Sequence, residues 1–211
     1  MEFKLIIFDV DGTLTKENNS WKLIHTSLNV FEQAKTHREL FFNKGISYQK
    51  WADLDVGLWK NVHVSRIEKI LNKVPLIEGI SETLSILKKK DLKTSLLSSG
   101  ISIFADKLKE RFGFDYSIAN KVIINEKGYL TGEVICNVAY NNKDKAINGL
   151  LKKLNITFQE CIAVGDNEND VNLFKKVGLS IALNPQSSNV SEVADITVTS
   201  TDLRKILNYI P

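Results

Sequence analysis

The sequence predicts an α/β fold, with a mostly parallel sheet flanked by helices and a small helical cap inserted after the first strand. Short apolar runs of strand length alternate with helix-spaced segments, which is typical of a parallel sheet covered on both faces. One such run, residues 3–8, opens the chain. A block from about residue 16 to residue 72 contains no strand run, so we interpret it as an insertion.

This block sets the predicted domain organisation. A chain of 211 residues is long enough for one large domain or for a core with a smaller insert. We predict an α/β core at residues 1–14 and 75–211 and a helical cap at residues 15–74. Because the cap directly follows the first strand, it would lie over the carboxyl end of that strand, a location that suits a lid.

Four helices are predicted within the cap from the spacing of its apolar residues. They lie at residues 21–31, 40–42, 51–59 and 64–71. All three tryptophans of the chain, Trp21, Trp51 and Trp59, belong to this block. Side chains of this size are typical of a small helical unit that fills its own core.

In the core, strand-like and helix-spaced segments alternate. Two strands, at residues 116–124 and 129–138, flank a Glu-Lys-Gly turn and predict a hairpin. The other strands are predicted at 94–97, 161–164, 179–183 and 196–198, and the helices at 81–90, 103–112, 143–154, 170–176 and 203–209.

The composition indicates a soluble globular protein, with 43% hydrophobic residues, 25% charged residues and a net charge of +3. Lysine clusters such as residues 88–90 are interpreted as solvated helix faces, so no nucleic-acid partner is expected. No apolar run reaches the roughly 18–20 residues that cross a bilayer, and no secretory signal is visible. The two cysteines are isolated and predict reduced thiols. We expect a cytoplasmic monomer or homodimer without a membrane partner.

The first strand ends in two aspartates, Asp9 and Asp11, followed by a glycine. Residues i and i+2 of a strand point to the same side, and ligands of parallel α/β sheets bind at the carboxyl end of the strands. Two carboxylates this close repel each other unless a cation or a proton intervenes. Taken alone, the pair is equally well explained as a polar turn, because Asp-Gly is a common turn sequence.

Polar residues follow two further strands. Ser98, Ser99 and Gly100 come after one of them and offer a hydroxyl and backbone N–H groups to an anion. Residues 165–170, Gly-Asp-Asn-Glu-Asn-Asp, come after the other, and Lys143 stands at a predicted helix start. Carboxylates from different strands suit Mg²⁺, which is usually bound by one or two protein carboxylates plus phosphate. An ionised aspartate could then act as nucleophile and a second one as acid and base.

These residues resemble, in order and spacing, the four motifs of the haloacid dehalogenase superfamily, and most closely its phosphoserine phosphatase branch. The motifs are Asp9-Val10-Asp11-Gly12-Thr13, Ser98, Lys143 and residues 165–170. The middle segment 108–134 and the tail 164–210 are similar to that branch as well. The resemblance implies a Rossmann-like core, a Mg²⁺ cofactor and phosphatase chemistry.

The resemblance also implies the catalytic and metal-binding roles. Asp9 would be the nucleophile and a Mg²⁺ ligand. Asp11 would be the general acid and base and would bind the metal through its backbone carbonyl. Asp166 would be the third protein ligand, and Asp170 would anchor metal-bound water or Lys143 from outside the ligand set. In this superfamily, a proton-donating aspartate at the second position separates phosphatases from dehalogenases.

The phosphate-binding residues implied by the resemblance are Ser98 and Lys143, with Ser99 and Asn169 close by. Ser99 stands where the branch typically has a glycine. Lys145 is an alternative to Lys143, because it follows two residues later.

The cap differs from the phosphoserine phosphatase branch. Members of that branch resemble one another in a glutamate soon after the first motif and in an arginine in the cap. Glu17 and Asn18 fall near the first position, and residues 51–55, Trp-Ala-Asp-Leu-Asp, stand near the second. A carboxylate-bearing substrate would lose its bidentate partner there. Asp53 and Asp55 either face solvent or read the substrate. The candidate cap contacts are Glu17, Asn18, Trp51, Asp53 and Asp55.

The three histidines, His25, His37 and His63, all lie in the cap without a shared spacing, and we interpret them as structural rather than as ligands. The sequence thus predicts a Mg²⁺-dependent phosphatase that hydrolyses a small phosphorylated metabolite through an aspartyl-phosphate. Phosphoserine is the named substrate, and a sugar or polyol phosphate is the alternative because the cap arginine is missing. A phosphotransferase and a non-catalytic binding protein are further alternatives.

Overall fold

A computed structural model of the chain describes residues 2–17 and 19–211. In this part of the chain, seven strands form one sheet with the order β4-β3-β2-β1-β5-β6-β7. The strands are β1 Leu5–Phe8, β2 Lys93–Ile101, β3 Tyr116–Ile124, β4 Leu130–Ile135, β5 Cys161–Gly165, β6 Leu179–Leu183 and β7 Ile196–Val198. Every neighbouring pair is parallel except β3 and β4, which form the predicted antiparallel hairpin. The predicted α/β fold is confirmed.

β1 lies in the middle of the sheet, between β2 and β5, and all four of its residues are buried. Leu5 and Ile7 pack into one hydrophobic cluster, and Ile6 and Phe8 pack into another. This separation follows from the alternation of side chains along a strand between the two faces of the sheet. A strand buried on both faces, with neighbours on both sides, holds the residue that follows it in a defined place.

The described residues form ten α-helices and three 3₁₀ helices. The α-helices are α1 Ser20–Ser27, α2 Phe31–Lys44, α3 Tyr48–Gly57, α4 Val64–Leu71, α5 Ile80–Lys89, α6 Ser102–Phe112, α7 Lys143–Ala146, α8 Asn148–Leu154, α9 Val171–Phe174 and α10 Ser188–Val193. The 3₁₀ helices are Phe158–Glu160, Glu168–Asp170 and Leu203–Tyr209. Within the described part of the chain, none of the helices combines the length and the apolar character that crossing a membrane requires.

Several predicted boundaries are wrong. The helix predicted at residues 21–31 ends at Ser27, and Phe31 begins α2, because Asn29 has a φ of 59° that a continuing helix cannot contain. Trp59 lies beyond the end of α3. The helix predicted at residues 143–154 is divided at Ile147 into α7 and α8. Residues 98–100 continue β2 rather than forming a turn after it.

The chain leaves the sheet after β1 and returns before α5 along the same path. Thr15 pairs with Leu76 in an antiparallel bridge, and the Lys16 N–H donates to the Pro75 carbonyl at 2.8 Å. Between these points lie α1 to α4. The division into a core at 1–14 and 75–211 and a cap at 15–74 stays a prediction.

The helical block does not fill a separate core, in contrast to the prediction made from its tryptophans. Ile24 and Trp59 are buried in the same hydrophobic cluster as Phe8 of the sheet. The hairpin supports the block further, since Gln49 Nε2 of α3 donates to the Val134 carbonyl of β4 at 2.9 Å. The block therefore shares one continuous hydrophobic cluster with the side of the sheet that contains Ile6 and Phe8.

Candidate active site

Asp9 immediately follows β1 and is buried at the carboxyl end of the sheet, where its N–H donates to the Val164 carbonyl at 2.9 Å. Lys143, the first residue of α7, places its Nζ 2.6 Å from Asp9 Oδ1 and 2.6 Å from Asp170 Oδ1. All three side chains are almost completely shielded from solvent. A buried ammonium between two carboxylates is held by strong charge-assisted hydrogen bonds, so its position is well defined.

The charges of this group shift the pKa values of its members. Burial alone would lower the pKa of Lys143, but Asp170 and Asp9 outweigh it and leave the pKa above its ordinary value. Burial raises the pKa of Asp9 to about 7, with the Lys143 cation opposing the rise and Asp170 adding to it. Lys143 therefore remains a cation at neutral pH, whereas Asp9 needs further positive charge to stay fully ionised.

Asp9, Asp166 and Asp170 each offer a carboxylate oxygen within 4.8 Å of the others. Both oxygens of Asp170 already accept hydrogen bonds, Oδ1 from Lys143 and Oδ2 from the N–H groups of Asp166 and Asn167. Asp166 Oδ1 accepts from Thr13 Oγ1 at 2.9 Å, but its Oδ2 is buried without a partner in the described chain. A free buried acceptor thus lies on Asp166, close to Asp9, and hard oxygen donors of this kind fit Mg²⁺.

The environment of Asp166 also fits a residue that binds a cation. Burial, together with the charges of Asp9 and Asp170, raises its pKa to about 9, while the hydrogen bond from Thr13 and the Lys143 cation oppose the rise. Gly12 has a φ of +84°, and a Cβ at this position would lie 2.2 Å from Asp166 Oδ2. A side chain there would fill the space beside the free oxygen, so glycine keeps that oxygen accessible.

Asp11 is held by Ser20, a contact that the sequence interpretation missed. The hydroxyl of Ser20 donates to Asp11 Oδ2 at 2.7 Å and its N–H donates to the same oxygen at 3.1 Å. Asp11 Oδ1 has no partner in the described chain. Burial raises the pKa of Asp11, and the hydrogen bonds from Ser20 oppose the rise. The carboxyl group therefore has one fixed oxygen and one oxygen free to exchange a proton.

The end of β2 contributes the third side of the site. Ser98 is buried and its Oγ accepts from the Gly100 N–H at 2.9 Å, while Ser99 Oγ is buried without a partner in the described chain. A Cβ on Gly100 would come within 3.2 Å of Ser20 Oγ and 3.5 Å of Asp11 Oδ2. Glycine thus allows β2 to approach the aspartates closely, as it does where backbone packs against a ligand.

Three side chains converge on the Ser99 carbonyl, and none of them was predicted as part of the site. Trp21 Nε1 donates to it at 3.1 Å, Tyr48 Oη at 3.2 Å and Asn120 Nδ2 at 2.8 Å. These residues come from α1, α3 and β3, so one carbonyl connects two cap helices to the sheet. No sequence signal indicates that these three side chains meet at the Ser99 carbonyl. The contact of Ser20 with Asp11 has a weak sequence signal, because Ser20 is the first residue of α1.

A cavity of about 570 Å³ lies between these strand ends and the helical block. Its floor contains Asp9, Asp11, Ser98, Ser99 and Gly100, together with Asn167 and Asn169. Asn169 Oδ1 is buried without a partner in the described chain. The rest of the wall comes from α1 to α3 and Tyr140, and consists of Asn19, Trp21, Lys22, His25, Phe31, Ala34, Lys35, Arg38, Phe42, Tyr48, Trp51, Ala52 and Asp55.

The predicted cap contacts have different positions. Trp51 and Asp55 line the cavity. Glu17 instead lines a second cavity of about 370 Å³ beside α4. Asp53 is half-buried and accepts a hydrogen bond from Gln49 Nε2 at 2.8 Å, outside the main cavity wall. Asn18 lies outside the described residues.

Asp55 neither faces solvent nor presents a free carboxylate. Its Oδ1 lies 2.7 Å from His37 Nδ1, and its Oδ2 lies 3.3 Å from His25 Nε2. Trp59 Nε1 donates to His25 Nδ1 at 3.1 Å, so the proton of neutral His25 is on Nε2, facing Asp55. His25 and His37 are thus paired with a buried acid, whereas His63 is exposed on the surface.

Comparison with known proteins defines the class of this site. Residues 3–178 match the haloacid dehalogenase-like hydrolase family. The phosphoserine phosphatase of Methanocaldococcus jannaschii is 34% identical over 208 residues, covering 98% of this chain and 97% of the relative. A crystal structure of phosphoserine phosphatase in apo form has a TM-score of 0.84 at 32% identity, with 100% coverage of both chains. A phospho-aspartyl intermediate analogue of phosphoserine phosphatase has a TM-score of 0.82 at the same 32% identity and 100% coverage.

The chain belongs to the haloacid dehalogenase-like hydrolase family, and the resemblance seen in its motifs is confirmed. Within this family it is a phosphoric monoester hydrolase that acts on a small phosphomonoester. The roles of the individual residues and the identity of the cofactor stay predictions.

Proposed function

We propose that the protein is a Mg²⁺-dependent phosphatase in which Asp9 attacks the phosphoryl group of a small phosphorylated metabolite. The observation that carries this proposal is the arrangement of Asp9 on the cavity floor. Its Oδ1 lies 2.6 Å from Lys143 Nζ, and one of its oxygens lies within 4.8 Å of an oxygen of Asp166, whose Oδ2 has no partner in the described chain. A nucleophile near a fixed ammonium group and a carboxylate that is free to bind a metal is suited to an anionic substrate that arrives with a divalent metal.

Asp9 and Asp166 would hold Mg²⁺, with the Asp11 carbonyl as a further ligand, and the bound ion would neutralise charge on the phosphate and on the aspartates. Asp170 would not bind directly, because both of its oxygens are already engaged. Its role would be to fix Lys143, whose ammonium would contact the phosphate oxygens. Ser98, Ser99 and Asn169 would supply neutral hydrogen-bonding groups on the same floor.

In the first half of the reaction, an Asp9 oxygen forms a bond to phosphorus while the bond from phosphorus to the leaving oxygen breaks. Asp11 gives its proton to that oxygen, so the leaving group departs as an alcohol. The raised pKa of Asp11 supports this role, because the group enters the step protonated more readily than an ordinary aspartate. Ser20 holds one Asp11 oxygen and leaves the other free for the proton.

In the second half, Asp11 takes a proton from water, and the oxygen of that water attacks the phosphorus of the aspartyl-phosphate. The bond between phosphorus and the Asp9 oxygen breaks, which releases inorganic phosphate and restores both carboxyl groups. Transfer to an acceptor other than water would give the phosphotransferase alternative. The buried floor limits access to acceptors that enter through the cavity.

The relatives make O-phosphoserine the reference substrate, because the similar proteins are phosphoserine phosphatases. A sugar or polyol phosphate remains the second candidate, since the cap lacks an arginine near residues 51–55. The proposal includes a cytoplasmic location and a monomeric or homodimeric state.

The aspartyl-phosphate can be tested directly. The protein is mixed with p-nitrophenyl phosphate and Mg²⁺ and quenched in acid within one turnover, and the phosphorylated peptide is located by mass spectrometry. We expect one phosphoryl group on the peptide that contains Asp9. The Asp11→Asn variant should accumulate more of it, because loss of the base slows hydrolysis. Turnover with no phosphoryl group on that peptide in either protein would exclude the covalent route.

A further inference from the structure

One face of α2 forms a large part of the cavity wall. Phe31, Ala34, Lys35, Arg38 and Phe42 all line the cavity, and their spacing of three or four residues places them on the same side of the helix. We call these five residues the α2 face. This face contributes two cations and two aromatic rings to the wall of the cavity that has Asp9 on its floor.

The cations on this wall have little contact with acids of the described chain. Arg38 lies over the Phe42 ring with its guanidinium carbon 4.8 Å from the ring centroid. Lys22 of α1 also lines the cavity, and its Nζ lies 5.8 Å from the centroid of the Phe31 ring. Lys35 has a distant ion pair of 3.9 Å with Glu32, and both side chains are exposed. Such an exposed pair is worth little, so all three cations can accept an anionic ligand.

Trp51 adds an uncharged donor to the same wall. Its Nε1 is buried and has no hydrogen-bond partner in the described chain. A buried N–H without an acceptor is costly, and the cavity is the place from which an acceptor can come. The wall therefore offers donors and positive charges that a ligand rich in acceptors would satisfy.

Acidic groups that could receive an ammonium group are not free on this wall, as far as the described residues show. Apart from Asp9 and Asp11 on the floor, the acid that lines the cavity is Asp55, and His25 and His37 lie against its two oxygens. Asp53 lies outside the wall. Glu17 lines the second cavity and its Oε1 accepts a hydrogen bond from the Asn19 N–H at 3.2 Å, although its charge still raises the pKa of Asp11. An ammonium on the substrate would therefore face cations rather than a free carboxylate.

We propose that the leaving group carries a carboxylate and no ammonium, so that the substrates are phosphorylated hydroxy acids, with Arg38 as the residue that selects them. This inference rests on the proposed phosphatase function. The reaction is the hydrolysis described above, with a hydroxy acid as the released alcohol. The cation missing near residues 51–55 is supplied from α2 instead.

Three substrates with the same three-carbon skeleton test the proposal. 3-Phosphoglycerate carries a carboxylate and a hydroxyl, O-phosphoserine carries a carboxylate and an ammonium, and glycerol 3-phosphate carries no carboxylate. We expect kcat/KM for 3-phosphoglycerate to exceed the other two by about tenfold or more, the usual effect of a charge-assisted hydrogen bond. Equal or faster hydrolysis of either competitor would overturn the proposal.

Arg38→Gln tests the assignment to that residue. We expect the preference for 3-phosphoglycerate over glycerol 3-phosphate to fall by about tenfold, with most of the change in KM. Arg111→Gln is the matched control. The guanidinium carbon of Arg111 also lies 4.8 Å from a ring centroid, that of Phe112, but Arg111 is on α6 and does not line the cavity. A preference that survives Arg38→Gln, or falls equally in both variants, contradicts the assignment.

The failure of this inference can be told apart from the failure of the proposed function. p-Nitrophenyl phosphate lacks both a carboxylate and an ammonium, so its hydrolysis with Mg²⁺ reports the phosphatase alone. An inactive protein would end both proposals, whereas activity on this compound with no preference among the three substrates would end only the second. Calorimetric binding to the Asp9→Asn variant gives a readout independent of turnover, with 3-phosphoglycerate expected to bind about tenfold more tightly than glycerol 3-phosphate.

Discussion

The floor and the wall of the cavity are built on opposite principles. On the floor, charged groups are buried and mutually engaged, as in the contacts of Lys143 with Asp9 and Asp170. On the wall, Arg38 and Lys35 are exposed, and their neighbours are rings or a distant acid. The difference fits the proposed function, in which the floor would hold the invariant phosphoryl group and the wall would contact the variable part of the substrate.

The largest effect is expected from removing Asp9, the proposed nucleophile on the floor. Asp9→Asn keeps the shape of the side chain but cannot form the acyl phosphate, so kcat with p-nitrophenyl phosphate should fall by roughly 10⁴-fold or more. Asp106→Asn, an exposed change on α6, is the control and should retain normal activity. Substantial turnover by the Asp9 variant would show that another residue attacks the phosphate.

Removing the cation of the floor should affect stability as well as activity. Lys143→Gln leaves Asp9 and Asp170 buried without their shared counter-ion, and the free energy of unfolding should fall by about 3–5 kcal/mol. Lys145→Gln removes a charge from the same helix, but Lys145 is exposed and should matter little. Urea unfolding of both variants measures the difference, and equal stabilities would mean that the buried pairs contribute nothing net.

The carboxylates of the floor should make the metal-free protein less stable as pH rises. The folded-state pKa values of Asp9 and Asp166 are raised to about 7 and about 9 from 3.8. The folded state therefore holds protons that the unfolded state has released, so stability is highest below pH 4 for these groups and is lost as pH rises toward 9. The melting temperature in EDTA should fall by roughly 5 °C or more between pH 5 and pH 8.

Added Mg²⁺ should counter this loss, since a cation between the carboxylates favours their ionised forms. The increase in melting temperature on adding Mg²⁺ should be larger at pH 8 than at pH 5. Asp166→Asn removes a carboxyl group with a raised pKa and a proposed metal ligand. Both the change of melting temperature with pH and its increase on adding Mg²⁺ should therefore become smaller. A response to Mg²⁺ that is unchanged in this variant would rule out Asp166 as a ligand.

On the wall, the strongest structural effect should come from Asp55, which is buried and paired with two histidines. Asp55→Asn weakens its contacts with His25 and His37, and the free energy of unfolding should fall by about 1–3 kcal/mol. Asp53→Asn, two residues earlier on α3, removes a half-buried charge that accepts a hydrogen bond from Gln49 Nε2, and should change stability by less than about 0.5 kcal/mol. Equal effects would mean that Asp55 is not a structural centre of the cap.

The contrast between floor and wall also explains which contacts could be predicted from the sequence. Asp9 and Asp166 follow neighbouring parallel strands, and the carboxyl ends of such strands meet at one edge of the sheet, so their proximity follows from local patterns. His25, His37 and Asp55 lie on three helices that meet only through packing, and no period in the sequence brings them together. The break at Asn29, which separates α1 from α2, determines that packing and was missed because Asn adopts a positive φ without a distinctive motif.

The smallest predicted effect concerns two tryptophans of the wall that differ in one hydrogen bond. Trp21 Nε1 donates to the Ser99 carbonyl, whereas Trp51 Nε1 has no partner in the described chain. Trp21→Phe should lower the free energy of unfolding by about 1 kcal/mol more than Trp51→Phe, which removes a costly unpaired N–H and keeps the stacking on Phe41 at 4.7 Å. A Trp51→Phe variant that is more stable than the Trp21→Phe variant and yet has the higher KM would mean that the free N–H of Trp51 serves the ligand rather than the fold.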